Sequence, residues 1–181
     1  MIYNVAGLLR EEVGAVRTYT VEDETIIAAD GHFQGVAGRI RMTRTDRGIL
    51  VQAGLTGETV TACARCLGTA PVHLSVQLDE EFFPINADLG VGSSLLRDTG
   101  LEDAEVPEFW IDEANGLDLV EPARQAFISE MPIAAFCRPD CRGLCPRCGA
   151  DRNRQPCHCD TAARDPRWEA LSTLGATLKQ P

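Results

Sequence analysis

Residues 137–159 read CRPDCRGLCPRCGADRNRQPCHC, and this stretch holds six of the chain's eight cysteines within 23 residues. The other two, Cys63 and Cys66, form their own Cys-x-x-Cys some seventy residues earlier, between segments that alternate like strands. A thiolate is a soft, charged ligand, and thiolates at this density need a cation to hold them together. The eight sulfurs divide into the pairs Cys63/Cys66, Cys137/Cys141, Cys145/Cys148 and Cys157/Cys159. Tetrahedral zinc takes four, so two structural Zn(2+) ions would use every sulfur without remainder. The most local grouping puts Cys145, Cys148, Cys157 and Cys159 on one ion, with Leu144 to Gly149 as a ribbon-type knuckle. Cys137 and Cys141 are then left to meet Cys63 and Cys66 at a hairpin tip. His158 stands between two cysteines and could replace one of them, although an exposed imidazole beside a ligand pair is the commoner arrangement.

Composition narrows the class around this stretch. The chain has 181 residues, 44% hydrophobic and 6% aromatic, enough for one mostly aliphatic core with a small satellite. From Met1 onward there is no basic-then-apolar leader and no apolar run near ~18 residues. A reducing cytoplasm is therefore the expected setting, where clustered cysteines are ligands or redox groups before they are disulfides. The net charge of −10 argues against a surface that neutralises phosphates throughout. Residues 1–136 carry 9 Lys/Arg against 22 Asp/Glu, whereas residues 137–181 carry 8 against 5. Any nucleic-acid face would be local to the cysteine-rich segment, with Arg138, Arg142, Arg147, Arg152, Arg154 and Arg164 as its candidate contacts.

Along the chain, residues 1–83 read as an antiparallel β region. One or two strands are expected before residue 30. Val36, Ile40 and Met42 alternate with Arg39, Arg41 and Arg44, Asp46-Arg47-Gly48 forms a hairpin turn, and residues 49–60 and 72–83 alternate again. Residues 84–110 are an acidic, Gly- and Ser-containing loop. Residues 111–136 supply a short edge strand around Phe109 to Asp112, then a helix with Asp118 at its N-cap. Glu121 completes a capping-box pattern, and Leu119, Val120, Ala123, Ala126, Phe127 and Met131 share one face. Residues 137–181 form the cysteine-rich zinc lobe, closing with a helix that starts at Asp165-Pro166 and buries Trp168. The fold class is α+β: an antiparallel meander or partly closed barrel, one packing helix, and a zinc-stapled C-terminal lobe ending in a short helix.

Catalytic readings find little support. Cys141-x3-Cys145-x2-Cys148 has the spacing of radical enzymes that bind an iron–sulfur cluster, but only 33 residues follow where a large barrel would be needed. His32, His73 and His158 give little material for acid–base work. An iron–sulfur or dithiol redox protein using the clustered cysteines stays as the alternative.

The ordered set of Cys63-x-Arg65-Cys66-Leu67, Glu80-Glu81-Phe82, Ile111-Asp112, Leu117-Asp118-Leu119, Met131-Pro132, Cys137-x3-Cys141-x-Gly143-Leu144-Cys145-Pro146-x-Cys148-Gly149, Cys157-x-Cys159 and Asp165-Pro166-Arg167 resembles the YceD family, the large ribosomal RNA subunit accumulation proteins. The resemblance runs from about residue 30 to 178. It implies a non-enzymatic factor that supports 23S ribosomal RNA accumulation and large-subunit assembly, with a ribosomal RNA precursor or a basic ribosomal protein as partner and neither a membrane nor a small-molecule substrate. Some members lack most of the C-terminal cysteines. Asn153-Arg154 stands where relatives usually carry a Leu-Asn pair, a departure expected to bear on packing.

Overall fold

β2 (Val16–Ala28), β3 (Gly31–Arg44), β4 (Ile49–Ala62) and β5 (Thr69–Pro84) run in succession; β4 and β5 alternate with period two, sending one set of side chains inward, while register shifts in β2 and β3 move the inward set from Val21 to Ile26 and from Phe33 to Val36. A computed structural model of the chain describes residues 1–28, 31–85 and 109–159. In β4, Val51, Ala53 and Leu55 are buried while Gln52, Gly54 and Thr56 face solvent; in β5, Val72, Leu74, Val76 and Leu78 repeat the pattern. β2 pairs antiparallel with β3, and β3 with β4. A short connection joins β4 to β5, which lie side by side in the sheet, so that pair is also a hairpin.

The chain divides into two compact units, Met1–Thr61 with Pro71–Ala135, and Ala62–Ala70 with Phe136–Pro181. In the first unit, β1 (Ile2–Asn4), β6 (Trp110–Ile111) and β7 (Gly116–Asp118) complete the sheet, whose order among the described residues is β1-β7-β6-β5-β4-β3-β2. The sheet curls into a half-barrel: Tyr3 on edge strand β1 and Tyr19 on the opposite edge strand β2 bring their rings to 4.9 Å. A single turn of helix, α1 (Ala6–Leu9), follows β1 and buries Leu8 and Leu9. Helix α2 (Val120–Ser129) buries Pro122, Ala123 and Phe127, and Phe127 stacks on Phe33 at 5.1 Å. A Cβ on Gly57 would meet the Phe127 ring at 3.2 Å, so a glycine on β4 leaves the room that this ring occupies.

Three local expectations differ from this architecture. The strand near Phe109 is not an edge: β6 lies between β5 and β7, parallel to β5, with residues 86–108 giving the long connection that a parallel pair requires. The helix begins after Leu119, because Asp118 belongs to β7 and its Oδ1 accepts the Val120 N–H at 2.9 Å; Glu121 pairs with Arg124 instead of closing a capping box. Arg44 leaves the exposed row of Arg39 and Arg41 because it is one residue out of register with them; its guanidinium donates to the carbonyls of Leu9 at 3.2 Å and Gly48 at 2.9 Å. The acidic loop at 86–108, Arg164 and the expected terminal helix lie outside the described residues. No helix among the described residues is long and apolar enough to cross a membrane.

Candidate metal centres

The second unit is built on two similar knuckles. At the hairpin tip the Cys63 N–H donates to the Gly68 carbonyl at 2.7 Å and the Leu67 N–H to the Cys63 carbonyl at 2.9 Å. In the second knuckle the Cys145 N–H donates to the Ala150 carbonyl at 2.8 Å and the Gly149 N–H to the Cys145 carbonyl at 2.9 Å. Each turn places the residue after its second cysteine in the left-handed region, Leu67 at φ 59° and Gly149 at φ 72°. Cys-x-x-Cys followed by that residue is thus a compact fold of backbone that aims two sulfurs at one point.

The first group is Cys63, Cys66, Cys137 and Cys141, and the second is Cys145, Cys148, Cys157 and Cys159; within each, the four sulfurs lie within 4.8 Å of one another. None of the eight is in a disulfide. Cys63 and Cys141 stand 3.9 Å apart and Cys66 and Cys137 3.7 Å. A metal–sulfur bond of about 2.3 Å gives a tetrahedron with edges of about 3.8 Å, so the first group fits a four-coordinate ion. In the second group Cys148–Cys157 is 3.5 Å and Cys145–Cys157 3.3 Å, slightly inside that edge. Two cysteine tetrads can therefore hold metal ions, and the six clustered cysteines divide as their spacing favours. His158 is exposed and belongs to neither group.

The electrostatics of the tetrads are uneven. N–H groups of Cys137 and Cys66 hold the Cys63 thiol down to about 6, while burial pushes Cys137 up to about 12. In the second tetrad the N–H groups of Cys148 and Arg147 lower Cys145 to about 6, and the neighbouring Cys157 thiol raises Cys159 to about 12. Each group thus contains one sulfur already disposed to ionise and one that gives up its proton only to a cation.

Two residues hold this arrangement together: Arg65, to which the sequence assigned no contact, and Asn153, which it marked as bearing on packing. The Arg65 guanidinium donates to the carbonyls of Pro139 at 3.2 Å and Cys141 at 3.0 Å and lies over the Phe136 ring at 4.5 Å. Its own carbonyl accepts the Leu144 N–H at 3.0 Å. Asn153 joins the loops of the two tetrads: its Nδ2 donates to Cys141 Sγ at 3.4 Å and Asp151 Oδ1 at 2.8 Å, while its Oδ1 accepts from the Arg142 N–H and the Arg138 guanidinium, both at 2.8 Å. Asn153 thus orients a candidate ligand instead of merely packing. The sequence marked Asn153 only as a departure bearing on packing, and spacing carries no information about an amide's partners.

The arginines named from the sequence separate into two kinds. Arg138 faces Asn153 and Asp140, and Arg154 lies 3.5 Å from Asp151. Arg142, Arg147 and Arg152 are exposed and form no ion pair with a described residue.

Residues 51–175 match the family model described as large ribosomal RNA subunit accumulation protein YceD, a span that includes both tetrads. The chain belongs to the YceD family. Similar proteins include an uncharacterised protein of Mycobacterium tuberculosis, 35% identical over 133 residues, and one of Mycobacterium leprae, 31% identical over 136. These alignments cover 73% and 75% of this chain but 58% and 57% of those relatives, so the chain spans less than two thirds of their length. A protein of Arabidopsis thaliana named large ribosomal RNA subunit accumulation protein YCED homolog 1, chloroplastic, is 28% identical over 102 residues, covering 51% of this chain and 32% of its own. No solved structure matches the chain.

Proposed function

We propose that this YceD protein is a non-enzymatic ribosome-biogenesis factor that supports accumulation of 23S ribosomal RNA and assembly of the large subunit, with a Zn(2+) ion in each cysteine tetrad. The observation that carries the reading is the family match over residues 51–175, the same span that holds both tetrads. Zinc suits all-sulfur, four-coordinate sites, and a site closed by four thiolates keeps no position for substrate, so its contribution is to folding. The metal would tie Cys63 and Cys66 to Cys137 and Cys141, residues far apart in sequence, and would fix the knuckles that carry the arginines.

The partner on this reading is precursor ribosomal RNA or a basic ribosomal protein, met in the compartment where the ribosome is assembled. Removing the protein from its host should lower 23S relative to 16S RNA and reduce free and assembled large subunits on a gradient. An unchanged ratio would sink the proposal. Affinity capture from lysate with and without ribonuclease separates an RNA contact, lost on digestion, from a ribosomal-protein contact, which survives it.

A further inference from the structure

We propose that Arg142 and Arg152 form a clasp for a phosphodiester of RNA. The clasp rests on the ribosomal RNA reading above and assigns that contact to one cleft. Together with Gln155, Pro156 and Cys157 these two arginines line an open cleft of about 430 Å³ within the cysteine-rich unit. No described lining residue is a carboxylate.

The backbone explains why the two arginines converge. The Arg152 N–H donates to the Gly143 carbonyl at 3.0 Å, and the Arg142 N–H donates to Asn153 Oδ1 at 2.8 Å, so the two chain segments run against each other at the roots of both side chains. Gly143 is required there: its φ is +70°, and a Cβ would meet the Arg65 carbonyl oxygen at 2.9 Å. Whereas Arg138 and Arg154 face aspartates of their own unit, the guanidiniums of Arg142 and Arg152 have no such partner among the described residues.

Charge and shape fit a phosphodiester. Across a chain of net charge −10, phosphate is repelled except where arginine is concentrated. Residues 62–70 and 136–159 carry six arginines and two aspartates, and two filled tetrads at −2 each would offset that excess, so the positive charge is local to the Arg142 and Arg152 side chains that line the cleft. A guanidinium offers a planar fork of donors that matches two phosphate oxygens, and two forks on one cleft can grip successive or opposed oxygens of a strand. Gln155 adds an amide that can both donate and accept, and the exposed Pro156 ring supplies an apolar wall for a sugar or an unstacked base.

The test is binding of full-length, metal-loaded protein to a short single-stranded RNA and to an RNA duplex across a salt series. Each phosphate contact contributes a slope of ~0.7 to ~0.9 in log K against log salt. The double variant Arg142→Gln/Arg152→Gln should lower that slope by ~1.4 to ~1.8, while Arg154→Gln leaves it unchanged. The variant Arg142→Lys/Arg152→Lys keeps the charge and should retain the slope with weaker binding, since the fork is lost. Unaltered metal content and circular dichroism establish that each variant is folded. If the wild type binds RNA and the double Gln variant keeps its slope, the clasp is wrong and the RNA reading stands. Equal losses in Arg154→Gln also overturn the clasp, because generic lobe charge would account for binding. Absence of wild-type binding overturns the RNA reading itself, and equal slopes on polyglutamate would assign the cleft to acidic protein.

Discussion

Replacing Asn153 should weaken one metal centre and spare the other. Asn153→Ala removes four hydrogen bonds, but they do not count equally. The Arg138 guanidinium and the Arg142 N–H are on exposed residues, so water replaces the lost acceptor at little cost. The bonds to Cys141 Sγ and Asp151 Oδ1 are partly buried, and at ~0.5 to ~1.5 kcal/mol each their loss should destabilise the cysteine-rich unit by ~1 to ~3 kcal/mol. Cys141 is the only tetrad sulfur that Asn153 touches among the described residues. Loss of such an outer partner typically costs ~10 to ~100-fold in metal affinity. Asn153→Asp keeps the shape but turns the donating Nδ2 into an acceptor facing a sulfur and a carboxylate, so it should be at least as damaging. Stepwise transfer of metal to a colorimetric chelator reads both sites at once: one of two ions should leave at lower chelator concentration, with Arg154→Ala as a control of wild-type behaviour. Equal weakening of both ions, or an unchanged profile, would refute the outer-shell role of Asn153.

Other perturbations test other parts of the molecule. Leu67 occupies the left-handed position that glycine fills in the second knuckle, so Leu67→Gly should be neutral to stabilising by up to ~1 kcal/mol in thermal unfolding, where an ordinary exposed Leu→Gly change destabilises. Phe127 is fully buried against Phe33 and Gly57, and Phe127→Ala should cost ~3 to ~5 kcal/mol by denaturant titration without changing metal stoichiometry. A Cβ on Gly48 would lie 2.0 Å from the Phe82 carbonyl oxygen, so Gly48→Ala must displace backbone and should destabilise by ~1 to ~3 kcal/mol. Binding of metal requires thiolates. Cys137 and Cys159, near 12, must lose protons that the ion displaces, so apparent affinity should fall as pH falls, and most steeply below about 6, where Cys63 and Cys145 are protonated as well. A pH-independent affinity would contradict thiolate ligation.

Much of this was legible in the sequence because it depends on period and spacing. Alternation at Val36, Ile40 and Met42 and from Val51 to Leu55 marks strands with one buried face, and paired cysteines mark knuckles whichever protein carries them. The meander of β2 to β5 and the division of eight sulfurs into two fours follow from those signals. What escaped depends on partners distant in sequence. β6 is only two residues long, too short for a period, and its pairing with β5 joins residues distant in sequence. Arg44 looked like one more outward arginine until its register against Met42 turned it toward the Leu9 carbonyl. Arg65 and Asn153 act through carbonyls and a sulfur that only the folded unit brings within reach. The pairing of Arg138 and Arg154 with aspartates, which separates them from Arg142 and Arg152, is likewise a property of side-chain direction.

Whether the two cysteine tetrads hold two structural zinc ions is decided by elemental analysis with X-ray absorption on protein purified without added metal. About two zinc per chain are expected, each with four sulfur neighbours at ~2.3 Å and no visible absorbance. Iron with acid-labile sulfide, or zinc with oxygen or nitrogen in its first coordination sphere, would contradict that assignment.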